Sequence, residues 1–363
     1  MPPPPTALPP PPPGSRPPPT QQPPKPSQPL LPAHRAILLR HRLSQPTVAL
    51  LVALPPASPP DEILAAACHA TELTSYPLRP GERALMSHMN SSTLWPLAVA
   101  HPTRTWEKAF LIAQATATGE EWAYAPRIAA PARAVLLGER RRIVMTVVHV
   151  LRCAADIMGL ARDAIGLRRA LELARCIAGG AWEGSEGREL LQVSGVGQKK
   201  MEALAKAGVT TVKKLAAMEF YHIERILKRN PPFGQSLVVT LEGFPMTGMR
   251  VCVERWATPE DEEAARKIDG CEARHRQGPS LGRQSQSAAL AGSDAVGSTM
   301  SANPDGVGEL LFFWRCSTKT MVGEGRTILF ATALAPGEAF FLWMSCEEVV
   351  GTLIEKVVTA PTE

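Results

Sequence analysis

The chain has 363 residues, long enough for two or three domains. With 45% apolar and 20% charged residues it is neither a collagen, a coiled coil nor a multi-span membrane protein, and a net charge of +5 permits a polyanionic partner without demanding one. Its 36 prolines are the unusual number: 22 of them precede residue 61, in a stretch without Asp or Glu.

Residues 1–60 therefore read as a disordered, proline-rich leader, solvated and extended, serving as a linker or as a ligand for proline-binding domains. Arg35, Arg40 and Arg42 in an acid-free setting also fit a transit peptide. The apolar run Thr47 to Leu54 is too short to span a bilayer, and no continuous stretch of eighteen or more is expected elsewhere.

From Asp61 the apolar period becomes helical. Asp61 and Glu62 precede Ile63, Leu64, Ala67 and Cys68, an amphipathic start with acids in its first turn. Trp106 to Thr118, Ala132 to Leu160 and Asp163 to Ala178 predict three more helices, the last closed by Gly179 and Gly180. Residues 61–185 are thus expected to be a helical bundle.

Residues 186–232 carry the sharpest signal. Leu190 to Leu204 (LLQVSGVGQKKMEAL) reads as a helix-hairpin-helix: a short helix ends near Val193, Gly195 and Gly197 permit a tight turn with φ > 0, and a second helix begins with unpaired amides. Those amides, the helix dipole and Lys199 and Lys200 suit one phosphate of a nucleic-acid backbone, with Gln198 beside them. The same pattern also serves as a packing connector. It is not a dinucleotide fingerprint, since no strand precedes it and a third glycine is missing, and it is too short for a phosphate-cradling ATPase loop. Next, Gly208 closes a helix and Thr210 or Thr211 caps another that runs on to Ile223, Ile226 and Leu227. Lys206, Lys213, Lys214, Arg225, Lys228 and Arg229 make this region basic.

After Pro231 the period shifts toward two. Arg250 to Trp256, Glu309 to Cys316, Arg326 to Leu334 and Ala339 to Cys346 read as antiparallel strands. Residues 233–363 are expected to be an immunoglobulin- or fibronectin-like β-sandwich with a disordered insert at 269–307. The segment Glu347 to Val358 fits a helix or an edge strand.

The run LLQVSGVGQKKMEALAKAGVTTVKKLAAM, followed by IERILKRNPPFGQSLVVTLEGFP, resembles the Sec-sixty-three domain of Ski-two-like helicases. Within that class, Arg229-Asn230-Pro231-Pro232-Phe233-Gly234 resembles the meiotic crossover DNA helicases, and DEILAAACHATELTSYPLRPGERALMSHMN and KAFLIAQA resemble the helical start of the same module. The resemblance implies a helical bundle, a helix-hairpin-helix and a β-sandwich over residues 61–363, and a nuclear role in recombination. Two features of that family are missing: the G-x-x-x-x-G-K-[ST] loop and the acidic metal box of its ATPase motor. The resemblance also implies a long helix along the translocating strand, a path that Arg133, Arg140, Arg141, Arg142 and Arg152 would line.

Other chemistry is poorly supported. Eight histidines are scattered without H-E-x-x-H, and G-x-S-x-G is missing. Seven cysteines, never spaced C-x-x-C, read as reduced intracellular thiols, and Cys271 with His275 lacks the second pair that zinc needs. The expectation is a non-catalytic module without metal or cofactor. It would bind single-stranded or branched DNA through Gly195, Gly197, Gln198, Lys199, Lys200, Lys206, Arg140, Arg141 and Arg142, with a protein partner on the sandwich and no membrane contact. The alternatives are a protein-interaction adaptor built on the sandwich and leader, and an RNA-binding module like that of the spliceosomal helicases.

Overall fold

The computed structural model describes residues 30–118, 130–183, 187–242, 248–255, 310–317, 339–346, 349–352 and 354–359. Seven helices build the main body: α1 Pro32–His41, α2 Gln45–Val52, α3 Pro60–Cys68, α4 Arg83–Ser92, α5 Thr105–Ala117, α6 Ala130–Leu160 and α7 Ala164–Gly179. The four helices expected between Asp61 and Gly180 are all present. Asp163 caps α7 by accepting from the Gly166 amide, and Gly180 ends it in the left-handed conformation.

The first correction concerns the leader. Residues 30–60 hold α1 and α2 and contribute Ile37, Leu43, Val48 and Leu51 to the core. Pro32 and Pro46 sit in the first turns of these helices, where the missing N–H leaves no bond unmade, so they start helices instead of breaking them. Ser44 caps α2, and the Glu72 carboxylate accepts from the Ser44 amide and the Thr47 hydroxyl, both at 2.6 Å. His41 Nε2 lies 2.7 Å from Asp156 Oδ2 of α6, which fastens α1 to the body. The earlier part of the expected leader, residues 1–29, lies outside the described residues.

The bundle is organised around α6, which packs against α1, α2, α3, α5 and α7. Residues 131–160 of this helix contain an 18-residue window long and apolar enough to cross a membrane, with a mean hydropathy of 1.7, contrary to the expectation from the sequence; 67% of that window is buried inside the protein, as in the central helix of a bundle.

The expected sandwich is seen only as far as one sheet. The described strands, β1 Gly248–Arg255, β2 Leu310–Ser317, β3 Ala339–Cys346 and β4 Ile354–Thr359, form one antiparallel sheet in the order β2-β1-β3-β4. Helices cover its inner face. Leu310, Phe341 and Trp343 enter the helical core, and the Phe313 ring lies where α6 has Gly159, within 3.1 Å of the place a Cβ would take. From α7, the Arg168 guanidinium stands 5.9 Å above the Phe341 ring and Arg175 donates to the Ser345 hydroxyl at 2.8 Å. The alternation of strand side chains specifies an apolar face but leaves open what covers it, and among the described residues α6 and α7 lie against that face. The segment after Glu347 contributes the edge strand β4. The expected strand 326–334 and the insert 269–307 lie outside the described residues.

Cys68, Cys153, Cys176 and Cys346 are buried thiols, and burial pushes Cys153 up to about 12, so they are inert apolar fillers. His69 is shifted the other way. Burial against Trp106, whose ring stacks 4.5 Å away, and the neighbouring Arg104 charge lower its pKa to about 4. The unfolded chain takes up this proton near pH 6.5, before the folded one does. The stability of the body should therefore decline as pH falls from about 6.5 toward 4, and His69→Gln should flatten that part of the curve. Urea unfolding midpoints at half-unit pH steps check this; a wild-type midpoint unchanged between pH 6.5 and 5 would sink it.

Candidate nucleic-acid interface

After α7 the chain builds a second small core from Leu190, Val193, Val196, Met201, Leu204, Val209, Leu215, Ile223 and Leu237. Val193, Val196 and Val209 lie in the connections, and the others come from a 3-10 turn (Arg188–Gln192) and from α8 Gln198–Lys206, α9 Val212–Ala216, α10 Phe220–Leu227 and α11 Phe233–Glu242; the one helix expected from Thr210 or Thr211 to Leu227 is thus two. The helix α11 is a second correction, because residues from 233 were expected to open the sheet domain. Leu237 gives α11 an apolar anchor in this core, and Gly234 lets it approach α10.

The hairpin turn has the expected shape, with one difference. Gly195 adopts φ +89°, whereas Gly197 is an extended N-cap with φ −96° that does not need glycine's left-handed freedom. A Cβ placed on either glycine would meet nothing within 4 Å, so the turn faces open space. The Val196 amide donates to Val193 O, and those of Lys200 and Met201 to Gly197 O. The Gln198 and Lys199 amides at the start of α8 donate to no group among the described residues, which leaves two N–H groups at the positive end of a helix dipole.

The two lysines at this corner divide their work. Lys199 is exposed. Lys200 folds back, donating to Gly195 O at 2.6 Å with its Nζ 4.2 Å from the centre of the Phe233 ring. It holds the turn in shape and ties it to α11, where the sequence had suggested a second phosphate contact. Gln198 pairs with Glu202 at 3.0 Å on the surface, and Lys206 is exposed two turns beyond Lys199. Thr211 caps α9, accepting from the Lys214 amide at 3.1 Å, and Gly208 precedes it at φ +82°.

The arginines of α6 stand on the main body. Arg140 is drawn into the main body, donating to the Thr116 hydroxyl at 3.3 Å, and burial lowers its pKa. Arg141 and Arg142 are exposed, but consecutive helix residues point about 100° apart, so the three make no common stripe. They stand on the central helix of the large core, whereas the hairpin is built on the small core.

The hairpin is seated on the sheet by residues that sequence reading missed. The Gln192 side-chain amide pairs in both directions with the Val350 backbone, each bond 3.1 Å, at the turn before β4. The buried Glu189 accepts from the Val212 amide at 2.7 Å and packs against Gly351, which itself stands at φ +83°. Nothing in a local window marks Gln192 or Glu189, because their partners are more than twenty residues away. Among the described residues no three His, Cys, Asp or Glu side chains gather as a metal site, and the Cys271 and His275 pair lies outside them.

No protein-family model matches the chain. It is 26% identical over 221 residues, 58% of its length, to an ATP-dependent DNA helicase MER3 homolog of Oryza sativa subsp. japonica, of which it spans 17%. The chain is thus a distant relative of that helicase over a small part of the helicase's length.

Proposed function

We propose that the chain is a non-catalytic DNA-binding and scaffolding module of the kind found in the C-terminal part of meiotic crossover DNA helicases, acting in the nucleus. The observation that carries this reading is the Gly195–Lys199 corner: an open turn, two unpaired helix amides and an outward ammonium, which together offer one phosphate a charged and hydrogen-bonding seat. The distant similarity to a DNA helicase supports DNA as the polyanion. The sheet and the Gln192 tether hold the corner at a fixed orientation, as a module that positions a strand requires. ATP hydrolysis would come from motor domains outside this segment.

Titration of the full chain with single-stranded and branched DNA at two salt concentrations tests the proposal. Binding should be sequence-independent and should weaken steeply with salt. Lys199→Glu should reduce affinity for every sequence alike and lower the slope of log K against log salt by about one. No measurable affinity, or affinity unaffected by Lys199→Glu, overturns it. Competition with RNA of equal length separates a DNA module from an RNA module.

A further inference from the structure

Among the side chains described, Phe220 and Tyr221 are the exposed Phe, Tyr or Trp residues, at 37% and 52%. They open α10, and Ile223, on the face away from Tyr221, is buried in the small core. The two rings meet edge to face, with centroids 5.8 Å apart and planes at 87°, and the His222 ring stands 4.3 Å from that of Tyr221 at a tilt of 54°, so neither neighbour is stacked parallel on Tyr221, which keeps half of its surface exposed. One turn further along the same side Arg225 is exposed, and Lys228 and Arg229 are exposed where the helix ends.

This surface adjoins the hairpin corner through a short chain of contacts. Gly234 seats against the Phe220 carbonyl, Phe233 beside it lies under Lys200 Nζ, and Lys200 donates to Gly195 O. Exposed rings interleaved with cations next to a phosphate seat match the chemistry of an unpaired nucleic-acid strand, whose bases show π-faces and whose backbone is anionic. In a duplex those faces are already stacked on one another.

We infer that Tyr221, assisted by Phe220, is a base-stacking platform that makes the module prefer single-stranded over duplex nucleic acid. The inference rests on the DNA-binding reading and adds a second, separable contact: the Gly195–Lys199 corner takes a phosphate, and Tyr221 takes a base.

The test uses the full chain and fluorescence anisotropy with three labelled probes: an oligothymidine strand, an abasic strand of the same length, and a duplex. The thymidine strand should bind about tenfold more tightly than the abasic one. Tyr221→Leu should bring that ratio close to one without altering abasic affinity, whereas Tyr221→Trp should preserve it. Lys199→Glu should weaken both strands and leave their ratio intact. A wild-type ratio near one, or a ratio that survives Tyr221→Leu, overturns the stacking platform while leaving the phosphate corner standing. Failure of the wild type to bind either strand removes both.

Discussion

Lys108→Met lowers the stability of the helical body by about 3–5 kcal/mol, a large fraction of what a domain possesses. Lys108 lies in the middle of α5 with its side chain fully buried. Its three ammonium hydrogens have three acceptors: Pro77 O at 3.2 Å, Glu82 Oε2 at 2.8 Å and Glu139 Oε2 at 2.8 Å. The Glu82 side chain is as buried as the lysine's, and Arg79 completes the cluster by contacting both carboxylates. Burial alone would raise the Glu139 pKa, but the hydrogen bonds from Arg79 and Lys108 outweigh it and hold the carboxyl below its usual range. Methionine fills the volume and abandons the charge, which leaves the Glu82 carboxylate in the interior without its ammonium. Pairing Lys108→Met with Glu82→Gln should recover part of the loss, because it removes the stranded charge along with its partner. Urea unfolding of the full chain measures both. A single-variant loss below about 1 kcal/mol would mean that water reaches this cluster and that the cage is not what holds α5 to α6.

Gly234→Ala disrupts the small core by about 1–3 kcal/mol or more, although it adds one methyl group. A Cβ at Gly234 would collide with the Phe220 carbonyl oxygen and lie 2.9 Å from Glu224 Cγ. Backbone cannot step aside as a flexible side chain does, so α11 has to move away from α10. The Gly234 amide also donates to the buried Glu224 carboxylate at 2.8 Å, and displacement would leave that carboxylate without this bond. The Phe233–Lys200 contact would loosen as well, releasing the clamp on the Gly195 turn. Amide hydrogen exchange over residues 188–242 should rise while the α5–α7 body stays protected. Uniform exchange across the chain would show instead that the two cores unfold as one.

The same glycine shows how much of the molecule was legible in advance. The Asn230-Pro231-Pro232-Phe233-Gly234 signature marked a family resemblance, but its physical reason is the closeness of two helices, which a linear reading does not display. The helices α3, α5, α6 and α7 were legible because their apolar period and end residues are local properties. The helices α1 and α2 were hidden because proline content is a regional average, whereas a proline's effect depends on its place within the helix. The sheet's strands were visible from alternation and the cover over them was not. At the candidate site, the shape of the Gly195 turn was readable. The inward course of Lys200, the Gln192 tether and the exposure of Tyr221 depend on neighbours supplied by the folded chain.

Leu310, Phe341 and Trp343 complete a core that begins with Leu30, just ahead of the first helix. During synthesis, α6 and α7 would leave the ribosome with their sheet-facing apolar patch bare, and it would stay bare until some 160 further residues had been added to α7. A message that stopped after the hairpin would yield a chain carrying the whole proposed phosphate corner together with an uncovered greasy face. Such a product is a natural client for chaperones and proteases, so cellular abundance of the hairpin depends on sequence far downstream of it.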